Sequence, residues 1–274
     1  MSTATSLRRL DGFALILGAS SGFGEAAALA FAEAGADIIG VHLDRRSTMA
    51  HVDEVTARIR ALGREAWFYN VNAADDGKRK GVLDDVATRL AARGGHERVR
   101  VLMHSLAFGS LRPALPTAND GATALTRMQV EMTLDVMGSS LLYWTQDLVA
   151  RDLLGPHGRV FAMTSDGSLH ALPEYGAVSA AKAALEAWVR QLALEGARLG
   201  FTANAICAGV TRTPALEKIP NHEAIVAKAV ARNPHGRLTT PADVAQTLVA
   251  LAGPETHWLT GNVLYVDGGE AAAG

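Results

Sequence analysis

The feature that most constrains this chain is a repeated alternation of short, unbroken apolar runs with longer stretches of helical periodicity. The runs are FALIL (13–17), DIIGV (37–41), REAWFYNV (64–71), VRVLM (99–103), RVFAM (159–163), FTANAIC (201–207) and GNVLYVDGG (261–269). Helical patterns lie between them, at 25–35 and at about 47–62, 75–92, 120–152 and 174–198, with another opening at Thr240-Pro241. Runs that are continuously apolar, rather than alternating, suit strands covered on both faces, which is the habit of parallel sheets. Strand–helix repetition of this kind predicts an α/β, doubly wound architecture with a seven-stranded parallel sheet flanked by helices.

No repeat, low-complexity stretch or Pro/Ser-rich linker divides the chain, so residues 1–274 read as a single domain. A polar segment at about 211–237, interrupted by Pro214, Pro220 and Pro234, reads as a ligand-facing insertion after the sixth strand. With 49% hydrophobic residues the chain is too apolar to be disordered. Its 26 Lys+Arg are mixed among 28 Asp+Glu, which leaves no basic face for nucleic acid. FALIL is too short for a signal segment, and no stretch nears the roughly 20 apolar residues of a membrane span. The sole cysteine, Cys207, permits no internal disulfide and ends an apolar strand, so it reads as a core residue in a reducing, cytoplasmic setting. Nine scattered histidines show no metal-binding spacing, and no metal is expected.

Between the first strand and first helix lies Gly18-Ala19-Ser20-Ser21-Gly22-Phe23-Gly24. Glycines there let the backbone turn tightly against a pyrophosphate, which the N-terminus of the following helix attracts with free N–H groups and positive dipole. This strand–glycine turn–helix setting marks a Rossmann-type dinucleotide site. The second strand ends in His42-Leu43-Asp44-Arg45-Arg46. Asp44 suits the ribose 2′-hydroxyl of NADH, whereas Arg45 and Arg46 suit a 2′-phosphate. Two adjacent cations are superfluous for an uncharged hydroxyl, so NADPH is the favoured cofactor and NADH the second. Asn70 and Val71, ending the third strand, read as flanking the adenine.

Tyr175 and Lys182 open the helix YGAVSAAKAALEAWVRQLA. Seven steps of about 100° return to nearly the same azimuth, so both side chains face one side. A lysine cation beside a phenol favours phenolate and prepares it for acid–base work on an oxyanion. The alternative is a helix-start aromatic and a solvated lysine. The other tyrosines, Tyr69, Tyr143 and Tyr265, fall in apolar strand or helix patterns instead.

Together these residues resemble the short-chain dehydrogenase/reductase family, as do Ala208-Gly209-Val210-Thr211-Arg212-Thr213 and the terminal Val266-Asp267-Gly268-Gly269. The Tyr-x6-Lys spacing, in place of the more common Tyr-x3-Lys, is similar to the enoyl-[acyl-carrier-protein] reductase branch. His104-Ser105-Leu106-Ala107 after the fourth strand points the same way, as does Asp135 where many members have a catalytic Asn. The stretch Asn204 to Leu238 resembles NADPH-dependent type III enoyl reductases. The resemblance implies that Val210 and Thr213 hold the nicotinamide carboxamide, that Gly209, Ser105, Leu106 and Ala107 line the cofactor, and that Lys182 also binds the nicotinamide ribose. It implies a homotetramer as well, for which Ala180, Ala181, Ala183, Ala184 and Ala187 offer close helix packing. One feature departs from that branch: Ser165 lies where carbonyl-reducing members keep a catalytic serine, and the second tyrosine of many enoyl reductases is absent near Asp166. Ser165 either polarises a substrate oxygen or caps the turn after strand five.

The resulting expectation is hydride transfer from NADPH to the carbon–carbon double bond of an enoyl thioester carried by coenzyme A or acyl carrier protein, as in fatty acid metabolism. Phe108, Leu111, Leu216 and Ile219, with Pro113, form the expected acyl wall. The rival readings are a carbonyl reductase acting on a ketone or β-ketoacyl thioester, and a non-catalytic dinucleotide-binding redox sensor.

Overall fold

In a computed structural model that describes residues 10–116, 123–219 and 221–273, the seven apolar runs form one sheet. The strands are β1 (Phe13–Leu17), β2 (Asp37–His42), β3 (Ala66–Asn70), β4 (Val99–His104), β5 (Leu154–Thr164), β6 (Thr202–Ala208) and β7 (Val263–Val266). Their order is β3-β2-β1-β4-β5-β6-β7 and every pairing is parallel, with Leu15 opposite Ile39 on one side and Leu102 on the other. The helices are α1 (Gly22–Glu33), α2 (Met49–Ala61), α3 (Asp76–Ala92), α4 (Arg127–Leu134), α5 (Ser140–Ala150), α6 (Gly176–Gly196), α7 (His222–Arg232) and α8 (Pro241–Leu251).

All five residues of β1 are buried because each face of the strand meets its own helix layer. Phe13, Leu15 and Leu17 pack into a core with Leu83 and Val86 of α3, Leu148 of α5 and Leu185 and Val189 of α6. Ala14 and Ile16 point the other way, toward Phe31 of α1, Ile59 of α2 and Leu248 of α8. The period-two alternation of a strand thus converts one unbroken apolar run into two cores. Strand order reverses beside β1, between β2 and β4, and the crevice over that switch is where such sheets receive ligands.

The structure corrects three boundaries. The helix expected over 120–152 is divided into α4, a π-helical turn at Asp135–Ser139, and α5, and its first residues lie outside those described. At the π-turn, Gly138 sits so close to α6 that a Cβ would stand 3.0 Å from the Ala181 carbonyl oxygen. The polar segment 211–237 carries its own helix, α7, which covers apolar Val226 and Ala229; its Pro220 lies outside the described residues. Strand β5 begins earlier than the apolar pattern because His157 and Gly158 interrupt it without ending it. The start of α8 matches the sequence expectation, with Pro241 at N1 and reciprocal bonds between Thr240 and Asp243. No helix among the described residues is long and apolar enough to cross a membrane, and no cluster of metal-binding side chains occurs among them.

Candidate active site

The predicted site residues lie at, or in the segments that follow, the C-terminal ends of strands. The glycine turn after β1 is locked by the protein's own backbone. The N–H groups of Gly18 and Ala19 donate to the Val41 carbonyl at 2.8 and 3.1 Å, and the Ser105 N–H donates to that of Leu17 at 2.9 Å. Gly18 has φ +89°, and a Cβ there would lie 2.5 Å from the Ser105 oxygen; at Gly24 it would lie 2.0 Å from the Gly18 oxygen. Thr213, from the loop after β6, reaches within 3.5 Å of where a Gly22 Cβ would be. Gly18, Gly22, Gly24, Ser105 and Thr213 are therefore assembled around one turn, while Phe23 packs into the core beneath it. Ser21 is the N-cap of α1 and makes no side-chain capping bond, so the helix's first N–H groups remain available to an anion. The turn thus fits the pyrophosphate of a dinucleotide.

At the end of β2, the Asp44 carboxylate is already well supplied with donors. It bonds Thr48 Oγ1 at 2.7 Å, His42 Nδ1 at 2.9 Å and the Ser20 hydroxyl. Burial alone would raise its pKa, but these three bonds outweigh it and hold the carboxyl below the usual range. Asn70 exchanges two bonds with the Asp44 backbone, and Val71 donates to the His42 carbonyl. Both residues therefore clamp β2 to β3, a structural task the sequence reading did not foresee. Arg45 and Arg46 are exposed and make no side-chain bond among the described residues.

The remaining groups converge on the end of β5. Lys182 is 5% exposed, and its Nζ donates to the carbonyl oxygen of Met163 at 2.8 Å and to that of Leu106 at 3.5 Å. Burial lowers its pKa to about 8, with Glu186 opposing the shift. Tyr175, the N-cap of α6, places its hydroxyl 3.4 Å from Ser165 Oγ. Ser165 Oγ also accepts from the Gly167 N–H at 3.1 Å. The two sequence readings of Ser165 are therefore compatible: it caps the turn at 166–168 and faces the phenol. Burial pushes the Tyr175 pKa up, with the Ser165 bond opposing it. This reverses the expected pull toward phenolate: the lysine engages carbonyl oxygens, and the phenol is held protonated, as an acid must be.

Leu111 and Tyr175 both pack against the small cluster of Met137, Val178 and Ala181. Its loop is tied to the one before α6 by a bond from the Arg112 N–H to the Glu174 carbonyl at 3.0 Å. Phe108 is 61% exposed, Ala107 is exposed, and Leu216 and Ile219 are half-buried on the loop after β6. The Val210 N–H, which the resemblance assigns to the nicotinamide carboxamide, donates here to Glu270 Oε2 at 3.1 Å. Gly209 leaves room for that carboxylate, since a Cβ would stand 2.9 Å from Glu270 Oε2.

Sequence reasoning assigned no role of their own to two buried polar groups, His104 and Glu186. His104, fully buried, bonds Ser140 Oγ through Nε2 at 2.8 Å, and Ser140 in turn donates to the Val136 carbonyl in the π-turn. Burial, reinforced by the field of Lys182, drops the His104 pKa to about 3, so its imidazole is neutral. Glu186, 8% exposed, accepts from Thr164 and Ser168. A polar residue inside an apolar pattern was the signal available for both. Cys207 is buried with its thiol pushed up to about 12, first by burial, as befits an unreactive core residue.

A doubly wound sheet carrying a glycine turn, a tyrosine, a buried lysine and a serine at its switch-point edge defines a nicotinamide-nucleotide-dependent oxidoreductase. The sequence profile of the family described as Enoyl-(Acyl carrier protein) reductase matches residues 18–270. The chain belongs to that enoyl reductase-like group of the short-chain dehydrogenase/reductase family. It is 31% identical over 262 residues to (2S)-[(R)-hydroxy(phenyl)methyl]succinyl-CoA dehydrogenase subunit BbsD of Thauera aromatica, covering 94% of this chain and 96% of that one. The crystal structure of enoyl-[acyl-carrier-protein] reductase (NADH) from Aquifex aeolicus is similar, with TM-score 0.79 and 25% identity over 97% of this chain and 98% of that one. A short-chain dehydrogenase of Burkholderia cenocepacia in complex with NADP has TM-score 0.78 and 26% identity, covering 97% and 98%.

Proposed function

We propose that this protein is an NADPH-dependent enoyl-thioester reductase. The observation that carries the reading is the geometry at the end of β5, where the partly buried Tyr175 hydroxyl lies 3.4 Å from Ser165 Oγ and Lys182 Nζ donates to the Met163 carbonyl at 2.8 Å. The glycine turn and the loops after β4 and β6 would hold the nucleotide, which when bound would supply a hydride to the β-carbon; the α-carbon would then take its proton from the Tyr175 phenol or from water. Tyr175 donates a hydrogen bond to the thioester carbonyl oxygen as enolate charge develops there. Lys182, fixed to the Met163 and Leu106 carbonyl oxygens, would lend positive charge to that oxygen and hold the nicotinamide ribose. Leu111, which shares a cluster with Tyr175, begins the acyl wall, with Phe108 contributing from the loop after β4 and Leu216 and Ile219 from the loop after β6.

The preference for NADPH rests on Asp44, whose oxygens already serve three protein donors, and on Arg45 and Arg46, which are free for a 2′-phosphate. The same reading places a homotetramer in the cytoplasm, acting in fatty acid metabolism on coenzyme A or carrier-protein thioesters. It treats residues 1–274 as one catalytic domain with 211–237 as its substrate-binding insertion. A second reading, carbonyl reduction, is favoured by the 3.4 Å Tyr175–Ser165 pair, which matches a two-donor site for a carbonyl oxygen. Initial rates of NADPH oxidation with crotonyl-CoA, set against acetoacetyl-CoA, separate the two. Tyr175→Phe lowers kcat by roughly 10²–10⁴-fold if the phenol acts as assigned. Unchanged turnover in that variant overturns the assignment.

A further inference from the structure

Glu186 lies one helical turn beyond Lys182 on α6, and its carboxylate is buried. A buried carboxylate is costly unless its oxygens are hydrogen-bonded, so its partners reveal its task. Oε1 accepts from Thr164 Oγ1 at 2.5 Å and from Ser168 Oγ at 2.8 Å, and no arginine or lysine bridges it among the described residues. Those two donors bracket Ser165. Thr164 ends β5, and Ser168 closes the short helical turn that Ser165 caps. In the same turn, a Cβ on Gly167 would stand 2.7 Å from Cε1 of the Tyr175 ring. One carboxylate oxygen thereby holds both ends of the piece of chain that carries the Ser165 hydroxyl and buttresses the phenol.

We infer that Glu186 is a positioning residue of the active site: it anchors the Ser165 turn against Tyr175 and sets a negative charge opposite the Lys182 ammonium. The inference rests on the acid–base reading of Tyr175, Ser165 and Lys182 proposed above. Other titratable groups face this region from the packed elements: His104 on β4, Asp135 in the π-turn, Asp166 in the short turn, Cys207 on β6, Tyr265 on β7, and Asp267 and Glu270 just after β7. His104, near 3, and Cys207, near 12, stay neutral across an assay between about pH 6 and pH 9. Burial raises Asp135, whose opposing field comes from Arg79. Tyr265 is likewise shifted up by burial, away from that window. Glu186 is the group whose charge counteracts the downward shift of Lys182.

Two variants separate the anchor from the charge. Glu186→Gln keeps a carbonyl oxygen able to accept both hydroxyl bonds but removes the charge, whereas Glu186→Ala removes both. Crotonyl-CoA and NADPH serve as substrates, with kcat and KM measured across pH and NADPH affinity measured by its fluorescence. Glu186→Ala is expected to lose roughly ten- to a hundredfold in kcat while binding NADPH within about twofold of wild type. Glu186→Gln is expected to keep kcat within about threefold at low pH, but to move the alkaline limb down by about half a unit to one unit. A wild-type kcat in Glu186→Ala, or an unmoved limb in Glu186→Gln, overturns the inference; if the alanine variant does not fold, the glutamine pH profile decides. A wild-type enzyme inert toward both enoyl and keto thioesters overturns the acid–base reading itself, a distinct result from an active enzyme indifferent to residue 186.

Discussion

Lys182 offers a test in which stability, not activity, is the readout. Its ammonium is almost fully buried, and its pKa falls from 10.5 to about 8. At roughly 1.4 kcal/mol per pH unit, that gap corresponds to a folding penalty of about 3 kcal/mol for carrying the charge inside. Below pH 8 both folded and unfolded chains bind the proton, and the folded state bears the whole penalty. Between pH 8 and 10.5 the unfolded chain retains the proton while the folded one releases it, so stability rises with pH. Above 10.5 both are neutral and the penalty is gone. Lys182→Met removes this titration, and its lost bond to the Met163 carbonyl is a cost nearly independent of pH. The stability of the methionine variant relative to wild type, from urea unfolding, should therefore decline by about 3 kcal/mol between pH 7 and pH 10.5. Tyrosine and cysteine titrations are common to both proteins and cancel in the difference. A relative stability that stays flat to within about 1 kcal/mol would refute the idea that this lysine is held charged against desolvation.

Other outcomes are equally definite. Gly24→Ala places a Cβ 2.0 Å from the Gly18 oxygen, so it should destabilise the fold by about 1–3 kcal/mol and weaken nucleotide binding, as thermal melts with and without NADPH would record. Replacing Arg45 and Arg46 together by alanine should raise KM for NADPH roughly ten- to a hundredfold while leaving KM for NADH within about threefold; equal effects on both nucleotides would remove the 2′-phosphate reading. Cys207, buried with its thiol near 12, should resist alkylation by iodoacetamide at pH 8, and its labelling in the folded enzyme, read by mass spectrometry, would contradict that burial.

The sheet was legible because its strands are unbroken apolar runs, and the glycine turn because only glycines tolerate the approach of Ser105 and Gly18 at that corner. Polar interiors were harder to read. Arg159 opens an apolar run, and its Nη atoms donate to the carbonyl oxygens of His157, Gly158 and, from beyond α8, Gly253, a pairing nearly a hundred residues away in the chain that no local pattern reveals, while its buried Nε has no partner among the described residues. Glu186 was hidden for the same reason: its meaning lies in Thr164 and Ser168, on another element. The direction of the Tyr175 shift also escaped, because spacing along a helix gives azimuth but not the burial that decides which charge state is favoured. The π-turn depends on how close Gly138 comes to α6, which is likewise a tertiary fact.

The strand order divides labour across the molecule. On the proposed reading, the adenosine-side residues hang from β1, β2 and β3, whereas the proton-handling groups hang from β5 and the helix that follows it. Damage to the first flank would then be felt as poor cofactor capture, and damage to the second chiefly as slow chemistry. The loops after β4 and β6 join the two flanks: Ser105 and Thr213 approach the glycine turn and Leu106 meets Lys182, so on the proposed reading a change of acyl group there would have to spare those contacts.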